Sequence, residues 1–165
     1  MNINNAGISH GSSLLAPGSA DAARAEFETD FFGPLALSQA FAPVLQRHGG
    51  GAIVNVLSVL SWLNLTGAAT YSASKSAAWS LTNGLRHELR AQGAQVVGVH
   101  VAFMDTDMAS RATTPKASPK DVALQTLAVL EAGGEEVLAD ALSRQVRQGL
   151  AAERGVYLGD PAAAR

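Results

Sequence analysis

The sequence predicts an α/β fold in which helices cover one parallel β-sheet. Short apolar runs of strand length alternate with longer segments of helical periodicity along most of the 165 residues. The runs contain few polar side chains, as do strands that are buried on both faces of a parallel sheet. The alternation also favours parallel strands joined by right-handed crossovers. The length suits a single domain, residues 1–165, with a sizeable core.

The chain begins with a strand end followed by a loop. Met1-Asn2-Ile3 has strand character, and the turn-forming run Asn4-Asn5-Ala6-Gly7 follows at once. Residues 8–20 are rich in Gly, Ser and Pro and predict a loop. The spacing of apolar residues then predicts a helix over 21–46, bent at Gly33-Pro34 because proline has no backbone N–H.

The remaining elements alternate in the same way. The pattern predicts a strand at 52–57, a helix at 69–92, a strand at 95–103, a polar loop at 104–118, a helix from Pro119 to about Glu131 capped by Ser118, a short strand at 135–140, a helix at 141–152 and a loose tail from Gly155.

Composition and charge exclude several classes of function. The net charge of −2, without a long basic run, argues against nucleic acid or anionic membrane as partners. The absence of cysteine excludes disulfides and thiol chemistry, and the four histidines are too scattered to predict a metal site. The sequence has no apolar stretch of membrane-spanning length and no signal-peptide pattern, and therefore predicts a cytoplasmic protein.

The stretch from Ser58 to Lys75 carries the candidate chemistry. Tyr71 and Lys75 are four residues apart on a predicted helix and therefore lie on the same side. An ammonium beside a phenol lowers the pKa of the phenol, which makes Tyr71 a usable acid or base. Ser58 follows a buried strand, where open α/β sheets place ligand-binding groups. Taken alone, these residues also fit a surface Tyr and Lys and a Ser that caps a turn.

Several motifs in the right order resemble the short-chain dehydrogenase/reductase family. Asn4-Asn5-Ala6-Gly7 is similar to the NNAG at the end of the family's fourth strand. Ser58 with Tyr71-x-x-x-Lys75 resembles its catalytic set, at the family's spacing. Asp105-Thr106-Asp107-Met108 resembles the segment whose Thr meets the nicotinamide amide. The resemblance covers nearly all of the chain and implies a Rossmann-like, doubly wound parallel sheet.

The resemblance implies an oxidoreductase that transfers a hydride between NAD or NADP and a small-molecule alcohol or carbonyl. Tyr71 would exchange the proton of the substrate oxygen, which Ser58 would orient and polarise. Lys75 would lower the pKa of Tyr71 and bind the nicotinamide ribose. The remaining cofactor-binding residues would be Asn5, Ala6, Gly7 and Thr106, with Gly7 permitting close backbone approach.

The sequence departs from the family pattern at three places. Asp30 stands where the family has an Asn that helps to hold a water in a proton relay to the Lys. The backbone carbonyl of Asp30 can still serve this relay, but its carboxylate alters the charge. Val101-Ala102 replaces a Pro-Gly pair near the nicotinamide contact. The family's glycine-rich phosphate loop, which precedes its NNAG, has no counterpart here.

The third departure predicts a partial NAD(P)-binding domain, truncated in its N-terminal half, with its first strand left as an uncovered sheet edge. Two functions therefore stay open. One is the oxidoreductase, and the other is an inactive fragment or non-catalytic scaffold that associates through its long helices. Helices equivalent to 21–46 and 69–92 commonly form the dimer interface in the family, so the resemblance also implies a homo-oligomer.

Overall fold

The computed structural model describes residues 1–110 and 112–159 and contains one parallel sheet. Its strands follow the order β1-β2-β3-β4: β1 (Asn2–Asn4), β2 (Gly51–Val56), β3 (Ala94–His100) and β4 (Glu136–Leu138). Helices connect successive strands or follow the last: α1 (Ser19–Phe27), α2 (Gly33–Arg47), α3 (Ala69–Leu89), α4 (Pro119–Glu131) and α5 (Ala141–Gly149). This is the Rossmann-like α/β arrangement that the sequence predicts.

The two faces of the sheet pack against different helices because side chains alternate along each strand. On one face Ile53 and Val96 form a core with residues of α2 and α3, including Leu45 and Leu89. The opposite face carries valines from β2 and β3 that pack with α4 and β4: Val54, Val97, Val99, Val122 and Val137. The central strands are therefore buried on both faces, which explains their apolar sequences.

A row of buried polar side chains crosses the sheet beneath α3. Asn2 donates to the side chain of Asn4 at 3.2 Å, and Asn4 donates to Asn55 at 2.7 Å. Asn55 in turn donates to the hydroxyl of Thr82 at 2.9 Å. These bonds satisfy amide groups that would be costly to bury alone. The first residue of the NNAG run is thus a structural residue that ties β1 to β2.

The long helix predicted over 21–46 begins at Ser19, ends at Arg47 and is interrupted by a π-helical turn at Glu28–Phe32. Pro34 has no N–H to offer the carbonyl of Asp30 four residues earlier. The backbone N–H of Gly33 instead reaches the carbonyl of Glu28, five residues back. The predicted irregularity is therefore a π-helical turn that precedes Gly33-Pro34, and it contains Asp30.

Other boundaries differ modestly from the predicted ones. The strand predicted at 95–103 ends at His100, and the helix predicted at 141–152 ends at Gly149. The cap of α4 is confirmed, since the Ser118 hydroxyl accepts from the backbone N–H of Asp121 at 3.4 Å. The loose tail predicted from Gly155 is wrong as far as residue 159, because Val156 packs against the core around Trp62. Residues 160–165 of that tail lie outside the described residues.

None of the helices in the described ranges is both long enough and apolar enough to cross a membrane.

Candidate active site

Lys75 links α3 to the carboxyl ends of two neighbouring strands. Its ammonium donates to the carbonyl of Val56, the last residue of β2, at 3.2 Å. A Cβ atom on Gly7, in the segment after β1, would lie only 3.3 Å from the same ammonium. Ser58 lies two residues after the end of β2. The fold therefore gathers Gly7, Ser58 and Lys75 at the sheet edge where α/β proteins bind ligands.

The ammonium of Lys75 is paired with a buried carboxylate. Its Nζ lies 3.5 Å from Oδ1 of Asp30, and the two side chains are 5% and 0% exposed. The other carboxylate oxygen accepts from the Ser74 hydroxyl at 2.7 Å, and Oδ1 also accepts from the backbone N–H of Ile8 at 3.3 Å. The Asp that replaces the family's Asn thus touches the Lys directly.

Burial and attraction act in opposite directions on this pair. Burial raises the pKa of Asp30, while the Lys75 charge and hydrogen bonds from Ser74 and Ile8 lower it. Burial likewise lowers the pKa of Lys75, and the attraction of Asp30 raises it. Since desolvation is the larger effect for both groups, each is less readily charged than it is in water.

Tyr71 lies beside Lys75, as the four-residue spacing predicts. The ammonium is 5.6 Å from the centroid of the Tyr71 ring, within the range of a cation–π contact. The expected lowering of the Tyr71 pKa is wrong, however. Burial raises the pKa of the phenol, and the negative charge of Asp30 raises it further. The prediction fails first because it did not include the burial of the phenol, which raises the pKa most, and second because it left out the carboxylate of Asp30.

Ser58 caps the short helical turn Val59–Ser61 and also belongs to the cluster of site residues, which consists of Gly7, Asp30, Ser58, Tyr71 and Lys75. Its side chain, in a residue only 5% exposed, accepts from the backbone N–H of Leu60 at 3.1 Å. The Ser61 hydroxyl accepts from the backbone N–H of Ser58 at 3.3 Å, which completes a reciprocal cap. A hydrogen bond with the Ser58 side chain lowers the pKa of Tyr71. Because the cap uses the hydroxyl as an acceptor, its proton stays available for donation.

A buried histidine supports Ser58 from the next strand. His100 at the end of β3 is stacked on Trp62, with ring centroids 3.8 Å apart. Its Nδ1 lies 3.2 Å from the carbonyl of Ser58. A carbonyl only accepts, so Nδ1 carries the proton in this contact. Burial lowers the pKa of His100 to about 4.

We therefore expect His100 to make the stability depend on pH. The pKa is about 6.5 in the unfolded chain and about 4 in the folded one. Between these values the unfolded state binds more protons than the folded state. The contribution of neutral His100 to the free energy of unfolding is therefore complete above pH 6.5 and is lost as pH falls to 4. The loss amounts to roughly 3 kcal/mol. Urea unfolding of a His100→Asn variant, which keeps a donor for Ser58, should lack this loss.

The matched control is His87→Asn, because His87 is exposed on α3. It should retain the wild-type decline in the free energy of unfolding between pH 6.5 and 4. An equal decline in the His100→Asn variant would contradict the assignment.

The predicted cofactor-binding residues lie in two places. Asn5 and Ala6 are exposed just after β1, and Gly7 is half-buried against Lys75. Thr106 is exposed in the segment after β3, and its hydroxyl donates to the nearby carbonyl of Met104 at 3.3 Å. The described contacts therefore join Gly7 to the cluster and leave Thr106 as a prediction.

Ala102, the second residue of the Val101-Ala102 pair, is hydrogen-bonded to a carboxylate. The backbone N–H of Ala102 donates to Oδ2 of Asp140 at 2.7 Å, and Oδ1 of the same carboxylate caps α5 by accepting from Ser143. These bonds anchor the segment after β3 to the start of α5.

Besides the His100 contact with Ser58, sequence reasoning missed two residues near Lys75. Glu26 is fully buried on α1 and accepts from the backbone N–H of His10 at 2.8 Å. Ser74 is fully buried beside Asp30. The available signal for Glu26 was its position four residues before Asp30, which places both carboxylates on one helix face. Within the two described ranges, no three His, Asp or Glu side chains are gathered as a metal site requires.

A family model described as short chain dehydrogenase matches residues 1–117. Among curated proteins, the chain is 31% identical over 126 residues to dehydrogenase/reductase SDR family member 7B of Bos taurus. The match covers 76% of this chain and 38% of the bovine protein. The Danio rerio protein of the same name is 32% identical, with 76% and 40% covered. The chain thus spans about two fifths of the length of these relatives.

The chain is also similar to solved structures of short-chain dehydrogenases. A short chain dehydrogenase from Burkholderia cenocepacia, in complex with NADP, is 41% identical with a TM-score of 0.86. The match covers 92% of this chain and 64% of that one. A short-chain dehydrogenase from Sphingobium yanoikuyae, in complex with NADPH, is 26% identical with a TM-score of 0.72, and 96% and 67% of the two chains are covered. The family model, the relatives and the fold together lead to one conclusion: this chain belongs to the short chain dehydrogenase family.

Proposed function

We propose that the protein is an NAD(P)-dependent oxidoreductase acting on a small-molecule alcohol or carbonyl. The observation that carries the proposal is the position of Tyr71 at the carboxyl edge of the sheet. There it lies beside Lys75, and a hydrogen bond with the Ser58 side chain lowers its pKa. The NADP and NADPH complexes of the two similar structures support the cofactor class. When bound, the nicotinamide ring supplies or accepts the hydride.

Tyr71 moves the proton in this proposal. During carbonyl reduction its hydroxyl donates a proton to the substrate oxygen, and during alcohol oxidation its phenolate accepts one. Ser58 donates a hydrogen bond to the same oxygen and so stabilises the charge that develops there. Lys75 holds a positive charge near the phenolate, although Asp30 offsets much of that charge.

The residues present fit a nicotinamide cofactor at this edge. Gly7 packs directly against this pair, because a Cβ at its position would lie 3.2 Å from Asp30 and 3.3 Å from Lys75 and would push the segment away from the ammonium. Within residues 1–110 and 112–159, Lys75 has two close oxygen neighbours, the Val56 carbonyl and Asp30. An ammonium has three N–H donors, which leaves one for a ribose hydroxyl. Asn5, Ala6 and Thr106 are proposed to line the rest of the cofactor.

We also infer that Asp30 takes part in proton movement between Lys75 and water. Its backbone carbonyl lies in the π-helical turn, where Pro34 has no N–H to offer it. Its carboxylate is in contact with Lys75 itself. The relay proposed for this site therefore includes a titratable group.

Association through helices is a further part of the proposal. The surface of α2 and the adjoining π-helical turn exposes Phe32, Leu37 and Phe41, at 47%, 43% and 38% of their full areas. Apolar side chains gathered on one helix favour a protein interface. We infer a homo-oligomer formed through the helices at about 21–46 and 69–92. A monomeric mass in light scattering would contradict this inference.

The function is tested by two assays on the intact protein. Reduced and oxidised nicotinamide cofactors are titrated by fluorescence, and hydride transfer is followed by nicotinamide absorbance with a panel of aldehydes, ketones and alcohols. We expect saturable cofactor binding and turnover of at least one substrate. If the protein associates but neither binds cofactor nor turns over any substrate, the scaffold alternative is correct.

A further inference from the structure

Two buried carboxylates hold the segment that follows β1. Glu26 on α1 and Asp30 in the π-helical turn are 0% and 2% exposed. Oε1 of Glu26 accepts from the backbone N–H of His10 at 2.8 Å. Oδ1 of Asp30 accepts from the backbone N–H of Ile8 at 3.3 Å. The same helix face therefore binds the segment at two points, two residues apart.

The spacing of the two carboxylates along the helix matches the spacing of the two N–H groups that they bind. Side chains four residues apart on a helix are separated by about 6 Å along its axis. Backbone N–H groups two residues apart in an extended chain are separated by about 6.6 Å. A pair of carboxylates one helical turn apart can therefore bind alternate N–H groups of a single passing segment. Neither bond replaces the other, because each fixes a different residue.

The bound segment forms a wall of the site. Gly7 precedes it and packs so closely on Asp30 and Lys75 that a Cβ would lie within 3.3 Å of both. Further along, the carbonyl of Ser12 accepts from the backbone N–H of Ala69, at the start of α3, at 2.9 Å. Tyr71 follows in the first turn of that helix. The segment from 7 to 12 thus runs from Lys75 to the helix end that presents Tyr71.

The environment of Glu26 does not resemble that of a stabilising ion pair. In the described part of the chain no cation lies within salt-bridge distance of it, and its Oε2 is buried without a hydrogen-bond partner. Burying a carboxylate with a single hydrogen bond opposes folding. An apolar residue of similar size would remove that penalty while also removing the bond to His10. The effect of Glu26 on the position of the segment can thus be measured separately from its effect on the stability of the protein.

We propose that Glu26 is a positioning residue of the site. Together with Asp30 it fixes the backbone of Ile8–His10 and thereby holds Gly7 against Lys75, where the cofactor is to bind. The kinetic consequence rests on the proposed function, whereas the binding of the His10 amide does not. Glu26 acts through the backbone, without touching the reacting atoms.

The test compares Glu26→Leu, which loses the acceptor, with Glu26→Gln, which keeps an oxygen for His10. The control is Glu28→Leu, because Glu28 is exposed in the adjoining turn. In Glu26→Leu we expect hydrogen exchange at the His10 amide to accelerate about tenfold or more. The KM for the nicotinamide cofactor should rise about tenfold, while kcat changes less than about threefold. Glu26→Gln should restore most of both values, and Glu28→Leu should change neither.

Each outcome decides the proposal. Unchanged exchange at His10 in Glu26→Leu overturns it, and so does faster exchange with an unchanged cofactor KM. Equal effects of the Leu and Gln substitutions also overturn it, since the retained acceptor is then irrelevant. If the wild-type protein neither binds cofactor nor turns over substrate, the proposed function fails, and the His10 exchange rates alone decide whether Glu26 holds the segment.

Discussion

Tyr71→Phe should lower hydride transfer by roughly 10²–10⁴-fold, the range contributed by a positioned acid or base. The substitution removes only the hydroxyl, so the ring that Lys75 approaches at 5.6 Å remains in place. Cofactor binding should therefore change little. Turnover is measured by nicotinamide absorbance, and cofactor affinity by fluorescence titration of the same preparations.

The other tyrosine provides the control for this experiment. Tyr157 is 57% exposed, in the short helical turn near the end of the described chain. Tyr157→Phe should keep the wild-type rate. A Tyr71→Phe variant that turns over as fast as the wild type would show that another group moves the proton.

Asp30→Asn should shift alcohol oxidation to lower pH. The reaction needs Tyr71 as its phenolate, and the raised pKa keeps that form scarce at neutral pH. The wild-type rate should accordingly rise with pH through the alkaline range. Removing the negative charge of Asp30 takes away one cause of the raised Tyr71 pKa. At neutral pH, oxidation should increase several-fold to about tenfold.

The Asn oxygen can still accept from Ile8, and its amide can donate to the Ser74 hydroxyl, which keeps the carbonyl of Tyr71 as an acceptor at 2.8 Å, so the local packing of Asp30 should survive. Asp107→Asn, an exposed change in the segment after β3, is the matched control and should leave the pH–rate profile unchanged. A shift of the Asp30→Asn profile to higher pH would contradict the prediction. That result would mean that Lys75 loses its proton once its buried partner is neutral, because Asp30 raises the pKa of Lys75.

Local patterns predicted most of the fold. Apolar runs at β2 and β3 identified strands buried on both faces, and Ser118-Pro119 identified the start of α4. The interruption near Gly33-Pro34 was predicted, but its form as a π-helical turn was not. A missing N–H only shows that the regular bond is lost, and the surrounding packing decides which bond replaces it.

The site was predictable as a set of residues but not as an electrostatic system. Four-residue spacing placed Tyr71 beside Lys75, since helix geometry is local. The direction of the Tyr71 pKa shift depends instead on burial and on Asp30, which is far from Tyr71 in the sequence and is brought to it only by folding. Glu26 and His100 were missed for the same reason. Their roles arise from a loop amide and a carbonyl that only the folded chain brings to them.

The most direct measurement follows the hydride itself. The intact protein is incubated with carbonyl substrates and with reduced nicotinamide cofactor that carries deuterium at both C4 positions, and the products are analysed by mass spectrometry. If Tyr71, Ser58 and Lys75 form an oxidoreductase site, the product alcohol carries deuterium on its carbinol carbon, and Tyr71→Phe sharply reduces its formation. Cofactor binding without any deuterated alcohol, or the same yield from Tyr71→Phe, would contradict the proposed function.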